Sequence, residues 1–148
     1  MMDAPTLPEK RSFRSAFVKA AADGRTLRLR GGGTKDFWGQ SLTGEVLDTR
    51  AYRGIVSYEP SELVVTVRSG TGLTTLESLL AEQGQCLPFE PPRFHGAPAT
   101  VGGMVASGLA GPARVSVGGV RDYVLGAELS NGRGELLRFG RQVMKNVA

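Results

Sequence analysis

The apolar and polar positions change period along the chain, and each change marks an element. Phe13, Phe17, Ala20 and Ala21 recur at helical spacing, with basic residues at 10, 11, 14 and 19 mostly off that stripe. Thr6 followed by Glu9 reads as the capping box of this helix, Gly24 as its stop, and Met1 to Pro5 as a loose leader. The alternation Thr26-Leu27-Arg28-Leu29-Arg30 predicts a first strand, and Glu45 to Thr49 and Gly54 to Tyr58 predict two more. Glu59-Pro60-Ser61-Glu62 is a turn begun by Pro60. The most β-branched run, Leu63-Val64-Val65-Thr66-Val67, predicts a central strand. A second helix follows. Thr74-Thr75-Leu76-Glu77 reads as its capping box, Leu76, Leu79 and Leu80 as its buried face, and Gly84 as its end. Leu87 to Pro92 is extended, and Val101 to Leu109 forms one short helix. Val120 to Ser130 reads as a long strand, and Asn131-Gly132 turns it back onto Glu135 to Phe139 as a hairpin. The fold class is α+β.

Glycine is what makes this pattern unusual. There are 21 glycines in 148 residues, about twice the average usage, with no collagen-like period. They gather around Gly31 to Gly44 and from Gly96 to Gly140. In Gly31-Gly32-Gly33 there are no side chains to pack, so the backbone is free for another group to approach its N–H donors. Successive N–H groups facing one concavity bind anions such as phosphate, and Thr34 and Lys35 add a hydroxyl and a charge. Read alone, the cluster is equally a flexible turn between strands. The second stretch, Thr100 to Pro112, is almost wholly small or apolar. Gly103, Ala106 and Ser107 give its helix a smooth side for a flat ligand or a neighbouring backbone, and its N-terminus favours phosphate. A single ligand touched by both stretches must be long and phosphate-bearing, and a dinucleotide fits. The Rossmann fingerprint is absent, since no G-x-G-x-x-G opens a helix within a βαβ unit.

Charge and cysteine usage narrow the classes. The formal charge is +4, but Lys and Arg are dispersed and never stand more than two in a row. A solvated surface and a phosphate-bearing ligand account for this better than nucleic acid, for which no basic motif or aromatic stacking pattern is present. Cys86 is the only cysteine, which excludes an internal disulfide and suits a reducing, cytoplasmic compartment; it reads as a small core residue. His95, the only histidine, has no ligand-spaced partner and reads as a loop residue rather than a base or metal ligand. No apolar run approaches the ~20 residues of a membrane span, and no signal peptide is expected.

Taken in order, Arg30-Gly31-Gly32-Gly33-Thr34-Lys35-Asp36-Phe37-Trp38-Gly39, Val67-Arg68-Ser69-Gly70-Thr71, Pro91-Pro92-Arg93-Phe94, Ala99-Thr100-Val101-Gly102-Gly103, Val120-Arg121-Asp122-Tyr123-Val124-Leu125-Gly126, Asn131-Gly132-Arg133-Gly134-Glu135 and Val143-Met144-Lys145-Asn146-Val147-Ala148 form a specific set. They resemble the FAD-binding domain of the vanillyl-alcohol oxidase type (PCMH type), and within it the FAD-binding subunits of bacterial glycolate oxidases. The match runs from about Leu27 to the end.

The resemblance implies two α+β subdomains with FAD extended between them. On this chain it implies an N-terminal helix over 1–25, a first subdomain over 26–88 and an incomplete second one over 89–148. It implies that Gly31, Gly32, Gly33, Thr34 and Lys35 cradle the FAD pyrophosphate, and that Thr100, Gly102, Gly103, Ser107, Gly108 and Gly111 line the pyrophosphate and the path to the flavin ring. The family's reaction is oxidation of a 2-hydroxy acid, glycolate to glyoxylate, with electrons passed to a second flavin subunit and an iron–sulfur subunit. Those partners would hold the protein at the periphery of an inner membrane. Another FAD-linked oxidoreductase of the same superfamily is the neighbouring reading, and a truncated module that has lost flavin is one from a different class. The family pattern continues beyond Ala148, so no catalytic residue is nominated and catalysis by this chain alone is not expected. Arg141 and His95 stand where the family commonly has glycine.

Overall fold

Helix α1 (Pro8–Ala22) is amphipathic: Ala20 is buried, Phe13 and Phe17 are half-buried, and Ala21 is exposed. The computed structural model describes residues 8–94, 96 and 98–140. Thr6, His95, Arg141 and Met144 to Ala148 lie outside them. Helix α1 closes as the glycine predicts. The Gly24 N–H reaches the Ala21 carbonyl and the Arg25 N–H that of Ala20, with Gly24 in the left-handed region. This double bond to the last turn is the standard glycine stop.

The chain divides into two compact units. The first takes the chain up to Leu29, Ser41–Leu47 and the chain from Leu125 onward; the second takes Arg30–Gln40 and Asp48–Val124. In the first, β1 (Leu27–Arg30) pairs with β2 (Glu45–Asp48), and β5 (Gly126–Ser130) pairs antiparallel with β6 (Leu136–Gly140). The register sets Leu129 opposite Leu137 and Glu128 opposite Arg138, whose side chains are ion-paired. The hairpin turn differs from a two-residue Asn-Gly turn. Gly134 N–H bonds to the Asn131 carbonyl, and Gly134, not Gly132, takes positive φ. That is a three-residue loop closed by a left-handed glycine. The Asn131 side chain holds it by accepting from the N–H groups of Arg133 and Glu135. Arg14 Nε of α1 donates to the Gly134 carbonyl at 2.8 Å, which seats the helix on the turn.

In the second unit, β3 (Ile55–Glu59) and β4 (Val64–Val67) form an antiparallel pair around a 3₁₀ turn over Pro60–Glu62. Pro60 begins this turn as expected. Leu63 ends it in the left-handed conformation, so it falls outside the strand. Among the described residues β4 pairs with β3 alone, so it is not a central strand. Helix α2 (Leu73–Ala81) buries Leu73, Leu76 and Leu80, with Leu79 half-buried. Its N-cap is Gly72, with no side-chain cap, and Thr74 lies inside the helix. The expected Thr74–Glu77 capping box is therefore absent. The backbone segment at 99 takes its place, since the Leu73 N–H donates to the Ala99 carbonyl, and Glu77 pairs instead with Arg93.

Helix α3 (Val101–Ser107), α4 (Arg114–Val117) and α5 (Val120–Tyr123) complete this unit. The long strand expected from Val120 begins only at Gly126. Residues 120–123 turn into α5 because the Asp122 carboxylate accepts from the Gly119 N–H at 2.7 Å, and the Tyr123 hydroxyl donates to the Val117 carbonyl. The core holds Leu73, Leu76, Leu80, Phe89, Val101, Met104, Ala110 and Val120, flanked by Ile55, Tyr58, Val65 and Val67. Cys86 is exposed rather than in the core, at the polar exit of α2 where the Gln85 side chain bonds to Tyr58 and Pro60.

Candidate functional site

The Gly31–Lys35 loop leaves β1 at Arg30 and is held from both sides. The Thr49 hydroxyl donates to the Arg30 carbonyl at 3.3 Å. On the other side the loop lies against Pro98 to Thr100. A Cβ at Gly31 would stand 2.6 Å from Thr100 Oγ1, and one at Gly32 would meet the Pro98 carbonyl. The reading that these glycines have no part in packing is therefore corrected. Their backbone is itself the packing surface, and a side chain there would push the two stretches apart.

The loop then turns. Gly33 has φ +71°, the Asp36 N–H bonds back to the Gly33 carbonyl, and the Trp38 N–H to that of Lys35. Arg30 lies beside Gly33, and its Nε is ion-paired to Asp36 at 2.7 Å. Among the described residues, the N–H groups of Gly31, Gly32, Gly33, Thr34 and Lys35 have no protein acceptor. Successive N–H donors of this kind on one held loop are the chemistry that anion-binding nests use. Thr34 is buried and Lys35 half-buried, with its ammonium 6.0 Å from the centre of the Phe94 ring. Burial lowers the Lys35 pKa from the usual lysine value. Phe37 stands edge-on to Phe94 at 5.1 Å.

The second glycine stretch is arranged differently. Thr100 is the N-cap of α3, and its hydroxyl accepts from the Gly103 N–H at 3.2 Å. The Val101 N–H donates to the Thr71 carbonyl and that of Gly102 to the Ser69 carbonyl. The N-terminal donors of α3 are thus spent inside the protein, and what this stretch offers near the loop is shape. Gly102 is pressed onto Ser69, where a Cβ would come within 2.8 Å of the serine Cβ. The structure brings Gly31, Gly32, Gly33 and Thr100 together. Ser107 and Gly108 lie at the far end of α3, about 10 Å along its axis from Thr100 at the usual rise per residue. Gly111 packs on the Glu90 backbone instead.

Sequence reasoning passed over three supports of this loop: Arg30 with Asp36, Pro98, and the Ser69–Thr71 turn. The first had a visible signal, a cation and a carboxylate flanking the glycines. The other two support the loop through backbone groups, which no side-chain pattern reports.

Comparison with known proteins identifies the family. The sequence profile described as "FAD binding domain" matches residues 6–140. The chain is 53% identical over 130 residues to the glycolate oxidase subunit GlcE of Escherichia coli (strain K12), covering 88% of this chain and 37% of that protein. It is 28% identical over 151 residues to the glycolate oxidase subunit GlcD of Bacillus subtilis (strain 168), covering 100% of this chain and 32% of that protein. The chain thus spans about a third of the length of these relatives. A grass pollen allergen with glucose dehydrogenase activity, Phl p 4, shares the fold at a TM-score of 0.73 and 22% identity, over 90% of this chain and 28% of the allergen chain. Among the described residues no helix is long and apolar enough to cross a membrane. With the family profile running from residue 6 to residue 140, this chain belongs to the FAD binding domain family.

Proposed function

We propose that this chain is the FAD-binding part of a glycolate oxidase-type flavoenzyme, with Gly31, Gly32, Gly33, Thr34 and Lys35 on the pyrophosphate. The observation that carries this reading is the run of five N–H donors without an acceptor among the described residues, held on a loop that packs against Pro98 to Thr100. The donor set fits the group. A pyrophosphate offers acceptor oxygens only and carries negative charge, while the loop offers donors and one ammonium. Thr100 and Pro98 lie behind the loop, and on this reading Gly102, Gly103, Ser107, Gly108 and Gly111, further along the same polypeptide stretch, line the path to the flavin ring.

FAD, when bound, supplies the two-electron redox chemistry that side chains lack, here the oxidation of a 2-hydroxy acid such as glycolate to its 2-oxo acid. The residues of this chain bind and orient it. Lys35 offsets phosphate charge, the loop N–H groups set the position of the pyrophosphate, and Arg30 with Asp36 keeps the loop in shape. The 53% identity to a subunit whose name specifies glycolate oxidase supports the substrate class, and the subunit names support assembly with further subunits, of which we propose that one is a second flavin subunit. An iron–sulfur subunit as electron acceptor, and a cytoplasmic complex at the inner face of a membrane, complete the reading.

The test is reconstitution. The chain, co-expressed with the other subunits of its complex, should support dye-coupled oxidation of glycolate and release FAD on denaturation. FAD release without glycolate turnover, but with turnover of another alcohol or hydroxy acid, would move the assignment to another oxidoreductase of the same superfamily. A complex that turns over glycolate with no FAD in this chain would leave the chain a non-catalytic module.

A further inference from the structure

The two supports of the Gly31–Lys35 loop are not independent, because both converge on one turn. Thr71 is 2% exposed, and its side chain serves another segment. Its Oγ1 accepts from the Gly54 N–H at 2.9 Å and lies 3.3 Å from the Gly54 carbonyl as donor. Its own carbonyl accepts from the Val101 N–H at 2.9 Å, fixing the first residue of α3 and with it the N-cap Thr100, against which Gly31 lies. One residue earlier, the Gly70 N–H donates to the Tyr52 carbonyl at 2.8 Å, and the Gly70 α-carbon is pressed onto the backbone of Thr49 to Tyr52. Thr49 in turn holds the Arg30 carbonyl, where the loop begins. The backbone therefore forms a closed circuit: Arg30, Thr49 to Gly54, Gly70 and Thr71, Val101 and Thr100, and back to Gly31.

We infer that Thr71 is a positioning residue for the anion loop: its buried hydroxyl, clamped on Gly54, sets the distance between the platform at Thr100 and the support at Arg30, so that the five loop donors share one concavity. For ligand binding this rests on the FAD reading above; as a statement about loop geometry it does not. Removing the hydroxyl leaves the Gly54 N–H without its partner, while the Gly54 carbonyl keeps the Arg68 N–H, and releases the turn that links the two supports. Valine conserves shape and removes only the hydrogen bonds, and serine retains them.

Two measurements on the full chain decide it. The first is backbone amide order parameters by ¹⁵N relaxation, without ligand. Values at Gly31 to Gly33 should lie near the rigid value of about 0.85 in the unmodified chain and in Thr71→Ser, and fall below about 0.6 in Thr71→Val. The second is FAD titration, in which Thr71→Val should bind about tenfold more weakly and Thr71→Ser within about twofold. A Thr71→Val chain with a lower Tm but an unchanged loop order would overturn the inference, since a merely structural threonine gives that result. If the unmodified chain binds no FAD, the FAD reading fails while the order parameters still decide the role of Thr71. If Thr71→Val does not fold, Thr49→Val interrupts the same circuit at a half-buried position, and an unchanged order at Gly31 to Gly33 in that variant also overturns it.

Discussion

A Cβ built on Gly32 would stand 2.8 Å from the carbonyl carbon of Pro98 and closer still to its oxygen. Backbone cannot yield as a side chain does, so the variant must separate the loop from the Pro98–Thr100 stretch. Gly32→Ala should lower stability by about 1–3 kcal/mol, the usual cost of overpacking, and abolish FAD retention. Gly24→Ala is the control. Its φ is also positive, at +63°, but nothing lies within 4 Å, so it should cost about 1 kcal/mol of stability and leave FAD binding unchanged. Denaturant melts and FAD titrations of the two variants separate contact from backbone strain.

Lys35 carries the only side-chain charge assigned to the phosphate. Burial lowers its amine pKa in the free chain, and a bound phosphate favours the charged form. Binding of pyrophosphate or FAD should therefore raise the Lys35 pKa with proton uptake, and affinity should fall as pH rises through the amine titration. Nζ titration by NMR with and without pyrophosphate reads this directly. Lys35→Gln should weaken FAD binding about tenfold at low salt and less at high salt.

Asp48 precedes the turn that holds Arg30. The side-chain hydrogen bonds from Arg50, then the Arg50 backbone N–H, hold its carboxyl down to about 2 from the usual 3.8. A carboxyl depressed in the folded state stabilises above its unfolded pKa and loses that contribution as pH falls. The loss should run from about pH 4 down to pH 2. Carboxyl NMR should place the Asp48 midpoint near 2, and Arg50→Gln should move it up toward 3.8.

Leu63 and Leu73 test the scaffold in opposite directions. Leu63 is 70% exposed and left-handed at φ +56°, so Leu63→Gly relieves strain with little buried area lost and should stabilise by about 0.5–1 kcal/mol. Leu73 is 1% exposed at the start of α2, and Leu73→Ala should cost about 2–5 kcal/mol. Urea unfolding of both variants checks the pair.

What the sequence made legible was periodic or punctuated by glycine. The Phe13–Phe17–Ala20 stripe, the Leu76–Leu80 face, the Gly24 and Gly84 stops and the hairpin around Asn131 all rest on interactions a few residues apart. The misreadings came where hydrogen bonds to the backbone, distant or local, or the end of an element decided, and periodicity did not. Gly72 rather than Thr74 caps α2 because Ala99 and Thr100 run beside it. Val120 to Tyr123 is β-compatible by composition but turns helical through the Asp122 carboxylate on Gly119. Cys86 is small and apolar but follows the exposed end of α2. At the site, a glycine loop with free backbone donors at Gly31 to Lys35 was readable from residue type. The dependence of that loop on Pro98, Thr49 and Thr71 was not, because carbonyl groups and a buried hydroxyl carry it.

The central claim is that the loop of Gly31 to Lys35 holds a pyrophosphate. Titration of the full chain with FAD, riboflavin and inorganic pyrophosphate, followed through its backbone amide resonances, tests it most directly. The account predicts saturable FAD binding with the largest shifts at Gly31 to Lys35, competition by pyrophosphate, and no comparable binding of riboflavin, which lacks phosphate. Riboflavin binding as tightly as FAD, or FAD binding that leaves those five amides unmoved, would contradict it.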